Sequence, residues 1–376
     1  MIVAILSVLL LFPSWQVPAG RIDLESPLKN TSNGAVGTYF SWVFSPNGKW
    51  IVGGSSPVQV TDNSGKTSYP AGVFVWDAKT GKFLKRLGDH DASVDFLAFS
   101  SNSQRLISAH IGRAQSKDPD PTVIQVWDLR RAKLKSKFGI EGTAKRPRMT
   151  ADGKSLVWLG EDESLSVWNL DKGKQSWQLK GTGLKHFDIS SDGKKIVGTF
   201  FQYENIEVDG KARRRIVARG IKAWNLSDGK ELWQVASDDR HLRAMQVFFH
   251  PEGEQFFAVA TGSDKEPGTL VRFSAIDGTL EEQFSLEDLD SIGTVGISAD
   301  GSRIAIKAFM GKSLTMWSLD DGKQLLHLTA TFPNDFGNVA FSSDLDRVGG
   351  DIPGTKKKAF DIIGPGIFPL KSSDNK

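Results

Sequence analysis

The segment TFFQYENIEVDGKARRRIVARG, from Thr199 to Gly220, sets Lys211, Arg213, Arg214, Arg215 and Arg219 just behind Phe200, Phe201 and Tyr203. Cationic side chains beside aromatic rings are the parts of a groove that follows a phosphate backbone and stacks bases. A second basic cluster, Arg240, His241 and Arg243, is a candidate contact surface. The sequence offers little else that could do chemistry. Six histidines are scattered with no close pair at metal-ligand spacing. His250 stands where a repeated phrase elsewhere carries serine, which marks it as structural. SLEDLDS, from Ser285, is acidic but lacks the Asp/Asn-Gly spacing of a calcium loop. No serine nucleophile elbow, phosphate loop or dinucleotide fingerprint is present. With no cysteine, disulfides, thiolate metal sites and a cysteine nucleophile are excluded. No catalytic residue, metal ligand or cofactor site is therefore expected.

Charge narrows the partner. The chain has 376 residues, 47 basic and 44 acidic, for a net charge of +3. No global field draws it to nucleic acid or to acidic lipid, so any basic site must be local. Ile2 to Phe12 is an apolar run too short for a bilayer span, and Val17-Pro18-Ala19 supplies small residues for a peptidase. Residues 1–19 thus read as an export signal, although the leading segment has no Lys or Arg. Export without cysteines suits a bacterial envelope, periplasmic or secreted. No membrane span is expected once the signal is removed, and nucleic acid is disfavoured as a partner.

The elements that must position these residues come in repeats. One phrase recurs as FSPNGKWI at Phe44, FSSNSQRL at Phe99, MTADGKSL at Met149 and ISSDGKKI at Ile189. It continues as FHPEGEQF at Phe249, ISADGSRI at Ile297 and FSSDLDRV at Phe341. A second phrase alternates with it: VFVWDAKTGK, VIQVWDLRRAK, LSVWNLDKGK, IKAWNLSDGK, LVRFSAIDG, LTMWSLDDGK and a worn KKAFDIIG. Asn-Gly and Asp-Gly between apolar runs are hairpin turns, and the alternating β-branched and aromatic flanks are strands. First-phrase starts lie 55, 50, 40, 60, 48 and 44 residues apart, close to one four-stranded propeller blade per repeat. Trp76, Trp127, Trp168, Trp224 and Trp317 are expected to fill the gaps between blades.

On these residues the chain resembles the WD-repeat β-propeller family, over roughly Gly37 to Leu370. Trp76-Asp77 and Trp127-Asp128 match its dipeptide, Trp168-Asn169 and Trp224-Asn225 come near it, and Phe273-Ser274, Trp317-Ser318 and Phe360-Asp361 depart from it. The resemblance implies a network of loop His, strand Ser, turn Asp and Trp. Blade two offers His90, Ser108, Asp120 and Trp127 for it; blade three has Asp162 and Trp168 but no histidine. WNLSDGKELWQV also resembles quinoprotein-like blades.

The expected architecture is all-β, a seven-bladed propeller of four-stranded antiparallel blades over 37–371, with a short tail at 372–376. GIFPLK, at Gly366, is read as the closing outer strand, which makes every blade contiguous and leaves 20–36 as a tether. RIDLES, at Arg21, is the alternative closing strand. Length is concentrated in loops between the second and third strands of a blade: Gly54–Gly72, His110–Thr122, Phe200–Gly220 and Thr261–Thr269. By resemblance these loops, with those between blades, share the top face, where binding residues of a rigid scaffold usually sit.

Asp209-Gly210 then sets a two-residue turn that pairs Val208 with Lys211, Glu204 with Arg215, Tyr203 with Ile216, Gln202 with Val217 and Phe201 with Ala218. The basic-aromatic segment becomes a hairpin arm on blade four rather than a nucleic-acid groove. The reading is a monomeric, non-catalytic module that docks a protein or peptide through Tyr203, Arg213, Arg214, Arg240, His241 and Arg243. The alternative is an enzyme at the channel mouth, a quinoprotein-like dehydrogenase or a hydrolase.

Overall fold

A hydroxyl two residues before an Asp or Asn closes most of the first-phrase turns. Ser190 Oγ donates to Asp192 Oδ1 (2.7 Å) and accepts from the Lys195 amide (2.9 Å). The same arrangement recurs at Ser45, Ser100 and Thr150. Gly153 and Gly193, both at positive φ, complete such turns without a Cβ in the way. At His250 the imidazole replaces the hydroxyl, its Nδ1 accepting from the Glu252 amide (3.3 Å). That is a structural role, as the phrase implies. The residue after each Trp works the same way in the second turn. Asp77 Oδ1 accepts from the amides of Lys79 and Thr80, Asn169 Oδ1 from Asp171 and Lys172, and Ser318 Oγ from Asp320. Only an acceptor is needed there, so Asp, Asn and Ser interchange.

The computed structural model describes residues 22–25, 39–57, 60–61, 67–68, 71–112, 121–209, 211–236, 246–262, 267–287, 289, 291–309, 313–329, 339–350 and 366–369. The export-signal reading, Asp120, Phe360-Asp361 and the cluster Arg240, His241 and Arg243 fall outside them.

Six antiparallel four-stranded sheets follow one another along the chain, each contiguous apart from its loops. Blade one comprises Tyr39–Phe44, Trp50–Ser55, Ala71–Asp77 and Phe83–His90. Blade two comprises Phe96–Phe99, Arg105–His110, Thr122–Asp128 and Lys133–Ile140. Blade three comprises Lys145–Met149, Ser155–Leu159, Leu165–Asn169 and Lys174–Leu179. Blade four comprises Leu184–Ile189, Lys195–Val208, Lys211–Asn225 and Glu231–Ala236. Blade five comprises Gln246–Phe249, Gln255–Ala260, Gly268–Ser274 and Leu280–Leu286. Blade six comprises Thr294–Ile297, Arg303–Lys307, Ser313–Ser318 and Gln324–Thr329.

A further four-stranded sheet is composite, ordered Val339–Phe341, Arg347–Gly350, Gly366–Pro369 and Ile22–Asp23 from inside out. This corrects the expectation of contiguous blades throughout: six blades are contiguous, not seven. Gly366–Pro369 is the third strand, not the outer one, and Ile22–Asp23 is a strand rather than part of a tether. The reason lies in blade one, which holds the N-terminal segment. Trp76 Nε1 donates to Glu25 O (2.8 Å), the Glu25 amide donates to Gly81 O (2.8 Å), and Leu24 is buried beside Trp76 and Phe74.

The core lies between blades. Val52, Val73 and Val75 of blade one pack with Leu106 and Trp127 of blade two; Val157 and Leu165 of blade three pack with Ile196 and Trp224 of blade four. Phe257 and Leu270 of blade five meet Ile304 and Trp317 of blade six, and Ala340 of the composite sheet packs into blade one. No single sheet could bury these faces alone, so the ring is the folding unit. Basic residues at the start of several second strands staple their blade to the next. Arg105 donates to Gly153 O (2.9 Å), Lys195 to Ala275 O (2.9 Å) and Arg347 to Ala78 O (2.9 Å). Among the described residues, no helix is long and apolar enough to cross a membrane.

Candidate functional site

The arm on blade four is the largest departure from the repeat. Within the blade, paired residues of its second and third strands add to 420, from Lys195 with Asn225 to Gln202 with Ala218. Beyond a bulge they add to 419, from Tyr203 with Ile216 to Val208 with Lys211. The core holds the first register through fully buried Phe200 opposite Gly220. The two-residue turn, with Asp209 at φ 52°, imposes the second. Two registers that differ by one cannot meet without an extra residue, and Val217 is that residue. The expected pairs Gln202–Val217 and Phe201–Ala218 are therefore replaced by Gln202–Ala218 and Phe201–Arg219. The outer pairs stand as anticipated.

The arm is polarised. Lys211, Arg213, Arg214, Arg215 and Arg219 all lie on its third strand, whereas Glu204, Glu207 and Asp209 lie on the second strand and turn. Glu204 pairs with Arg215. Tyr203 takes Arg214 over its ring, Cζ 4.2 Å from the centroid, with Lys185 Nζ at 5.2 Å and Phe201 stacked at 6.4 Å. Lys185 is in turn bound by Glu163 of blade three. Arg213 is exposed, as are Ile216 (44%) and Val217 (49%). Blade four's outer strand pairs only from Gly220 onward. Among the described residues, no strand covers the outer edge of Lys211 to Val217.

Tyr203, Arg213 and Arg214 are thus brought together at the arm. Phe201 joins them as the segment suggested, and Lys185 and Glu163 join them unforeseen. The only sequence signal of these two is position, just after Gly183 and within GEDES, in a strand start and a loop that the fold places beside the arm.

The channel side offers groups that could suggest catalysis. Asp188 Oδ1 lies 3.5 Å from Arg148 Nε, and its Oδ2 accepts from the Phe249 amide (2.8 Å). Burial raises this carboxyl, opposed by Arg148. Burial holds His186 well below the usual imidazole range, and its Nδ1 accepts from the Val247 amide (3.1 Å). Both groups are committed to backbone amides of blade five, so they act as staples between inner strands. Between blades one and two, His90 Nε2 lies 2.7 Å from Ser108 Oγ, and this hydroxyl accepts from Trp127 Nε1 (2.8 Å). This supplies three members of the expected network. Among the described residues, no group of three His, Asp or Glu side chains could hold a metal ion.

No protein-family model matches the chain. It is 26% identical over 121 residues to a periodic tryptophan protein 2 homolog of Schizosaccharomyces pombe, 31% of this chain and 13% of that protein. It is 26% identical over 113 residues to a lissencephaly-1 homolog of Caenorhabditis briggsae, 30% of this chain and 25% of that protein. The chain therefore spans only a minor part of these relatives. Among solved structures it resembles the β-propeller domain of Myceliophteria thermophila Cps50 (Swd1), with TM-score 0.63, 12% identity, and 90% and 98% of the two chains covered. It likewise resembles the RRP9 WD40 repeats, with TM-score 0.61, 13% identity, and 95% and 99% covered. The chain has the WD40 β-propeller fold.

Proposed function

We propose that this propeller is a non-catalytic docking module, whose top face engages a protein partner through the blade-four arm. The carrying observation is the uncovered outer edge of Lys211 to Val217, four cations with no acid on one strand. Free backbone donors and acceptors on such an edge suit an extended segment added as a further strand. The row of cations selects an acidic one. Arg214, ordered against Tyr203, is a preformed contact and loses less entropy on binding than a free side chain. Staples rather than acid–base pairs on the channel side support the non-catalytic reading. The composite sheet is the seventh blade in this proposal, and a monomeric ring leaves the top face open.

The test is binding of a fluorescent acidic peptide to the intact protein and to a variant with Gln202–Ala218 replaced by Asn-Gly. Phe201 and Arg219 remain paired, so the melting temperature should stay within about 2 °C, whereas affinity should fall at least about tenfold, near 1.4 kcal/mol. Undiminished binding would place the site elsewhere. A large loss of stability would show that the arm belongs to the core.

Export is part of the same proposal. It rests on the apolar run Ile2 to Phe12 and the small residues before Gly20. Cleavage after Ala19 would retain Ile22 to Glu25 for ring closure. A mature N-terminus at Gly20, read by mass spectrometry of the secreted fraction, is the expected result; an intact N-terminus would contradict it.

A further inference from the structure

Between blades one and two, the gap near the top is filled by long polar side chains. Gln125, three residues before Asp128, is 2% exposed and reaches across so that its Nε2 donates to Asp89 O (3.0 Å). His90 lies beside it on Ser108. Aligning the third strands on Trp127 and Trp168 puts Ser166 at the Gln125 position. Aligning the outer strands puts Gly139 and Ile140 where Asp89 and His90 stand. Strand two changes as well, with Trp158 in place of Ser108. The exchanges at 166 and 140 shorten or remove a polar side chain, whereas Gly139 keeps the kind of backbone carbonyl that Asp89 offers Gln125. The result is a cleft of about 520 Å³ between blades two and three, lined by Gly139, Ile140, Ser166, Trp158, Trp168 and Gln178.

Two donors facing this gap are left over. The Ser166 side chain is 2% exposed and has no hydrogen-bond partner among the described residues. Trp168 Nε1, whose counterpart in blade two bonds Ser108, is buried and also without one. An unsatisfied buried donor costs about 1–3 kcal/mol, a penalty that falls on Trp168 Nε1, while the Ser166 hydroxyl lines the cleft and is open to an acceptor from a ligand. The charged lining is entirely acidic: Glu141, Glu161 and Asp162. Asp162 stays ionised, its carboxyl held below the usual range by the Ser164 hydroxyl.

We infer that this cleft is a second binding site, taking a basic peptide segment whose Lys or Arg side chain enters between the blades. A free polyamine would satisfy the carboxylates but has no acceptor for Ser166 and Trp168. An acidic or neutral peptide has acceptors but no cation. A basic peptide has both, its backbone carbonyls facing the floor and its cation the acidic rim. The site is independent of the arm's outer edge, although the loop from Gly160 to Ser164 borders both through Glu163 and Lys185.

The probe is a fluorescein-labelled peptide of alternating Lys and Ala residues, followed by anisotropy with the whole protein. Ser166→Gln restores the side chain that fills the equivalent gap in blade two. It should leave the melting temperature unchanged or raise it, and should weaken binding at least about tenfold. Glu161→Gln should weaken it a few-fold and flatten its salt dependence. The arm-trimmed variant should bind as the intact protein does, which separates this site from the docking edge. Absence of binding, equal binding by Ser166→Gln, or equal competition by spermine or by an acidic peptide would each overturn the inference.

Discussion

A chain that begins at residue 26 is expected to melt roughly 5–10 °C below one that begins at residue 20, a loss on the order of 5 kcal/mol. The longer chain keeps Ile22 to Glu25; the shorter one does not. Losing them exposes the contact of Leu24 with Trp76 and Phe74, worth about 2 kcal/mol. It also strands two donors, Trp76 Nε1, bound to Glu25 O, and the Phe83 amide, bound to Glu25 Oε2 (3.1 Å). The outer edge of Gly366–Pro369 is left unpaired as well. A point substitution probes the same latch without shortening the chain. A Cβ at Gly81 would lie 2.2 Å from Asp23 O, and this residue sits at φ 71°. Gly81→Ala must therefore displace the closing strand, and should lower the melting temperature in the same direction. Equal melting of the two chains in differential scanning calorimetry would show that the ring is closed by other residues.

Acidification should weaken the fold through a buried histidine. Burial pushes His90 down to about 4, with Lys137 and His110 adding repulsion. The unfolded chain takes up this proton near pH 6.5 and the folded chain near 4, so the unfolded state binds more protons between these values. Stability from the neutral imidazole is complete above about pH 6.5 and is lost as pH falls toward 4, by about 3 kcal/mol. His186 shifts in the same direction, also through burial. The Asp300 carboxyl, held to about 2 by the Ser298 hydroxyl, responds only below that window. Urea unfolding at several pH values should show the decline. His90→Gln, which cannot titrate, should shallow it. Constant stability from pH 7 to 5 would contradict a neutral, desolvated His90.

Much of the fold was legible because its determinants are local. Asp-Gly and Asn-Gly pairs, the alternating strands and the Trp-Asp variants each carry their own turn or packing chemistry. They recur often enough to be read as blades. The arm's turn at Asp209 and the pair of Glu204 with Arg215 were legible for the same reason. What was missed depends on two distant parts of the chain. The bulge at Val217 arises because the core register around Phe200 and the turn register differ by one, which only the assembled blade reveals. The closing strand is set by Trp76, Gly81 and Phe83, more than 50 residues from Glu25. RIDLES was legible only as the alternative closing strand, because the contacts that decide in its favour lie in blade one. The contacts of Lys185 with Glu163 and Tyr203 likewise arise only when blades three and four stand side by side.

The polarised arm leads to one direct measurement. Hydrogen exchange of the intact protein, followed by mass spectrometry with and without the acidic peptide, reports which backbone amides become covered. If the arm docks an extended segment along its cationic edge, amides within Lys211 to Val217 slow on binding, and those of the turns at Gly153 and Gly193 do not. Binding that leaves Lys211 to Val217 unprotected, or that protects those turns instead, would contradict the account.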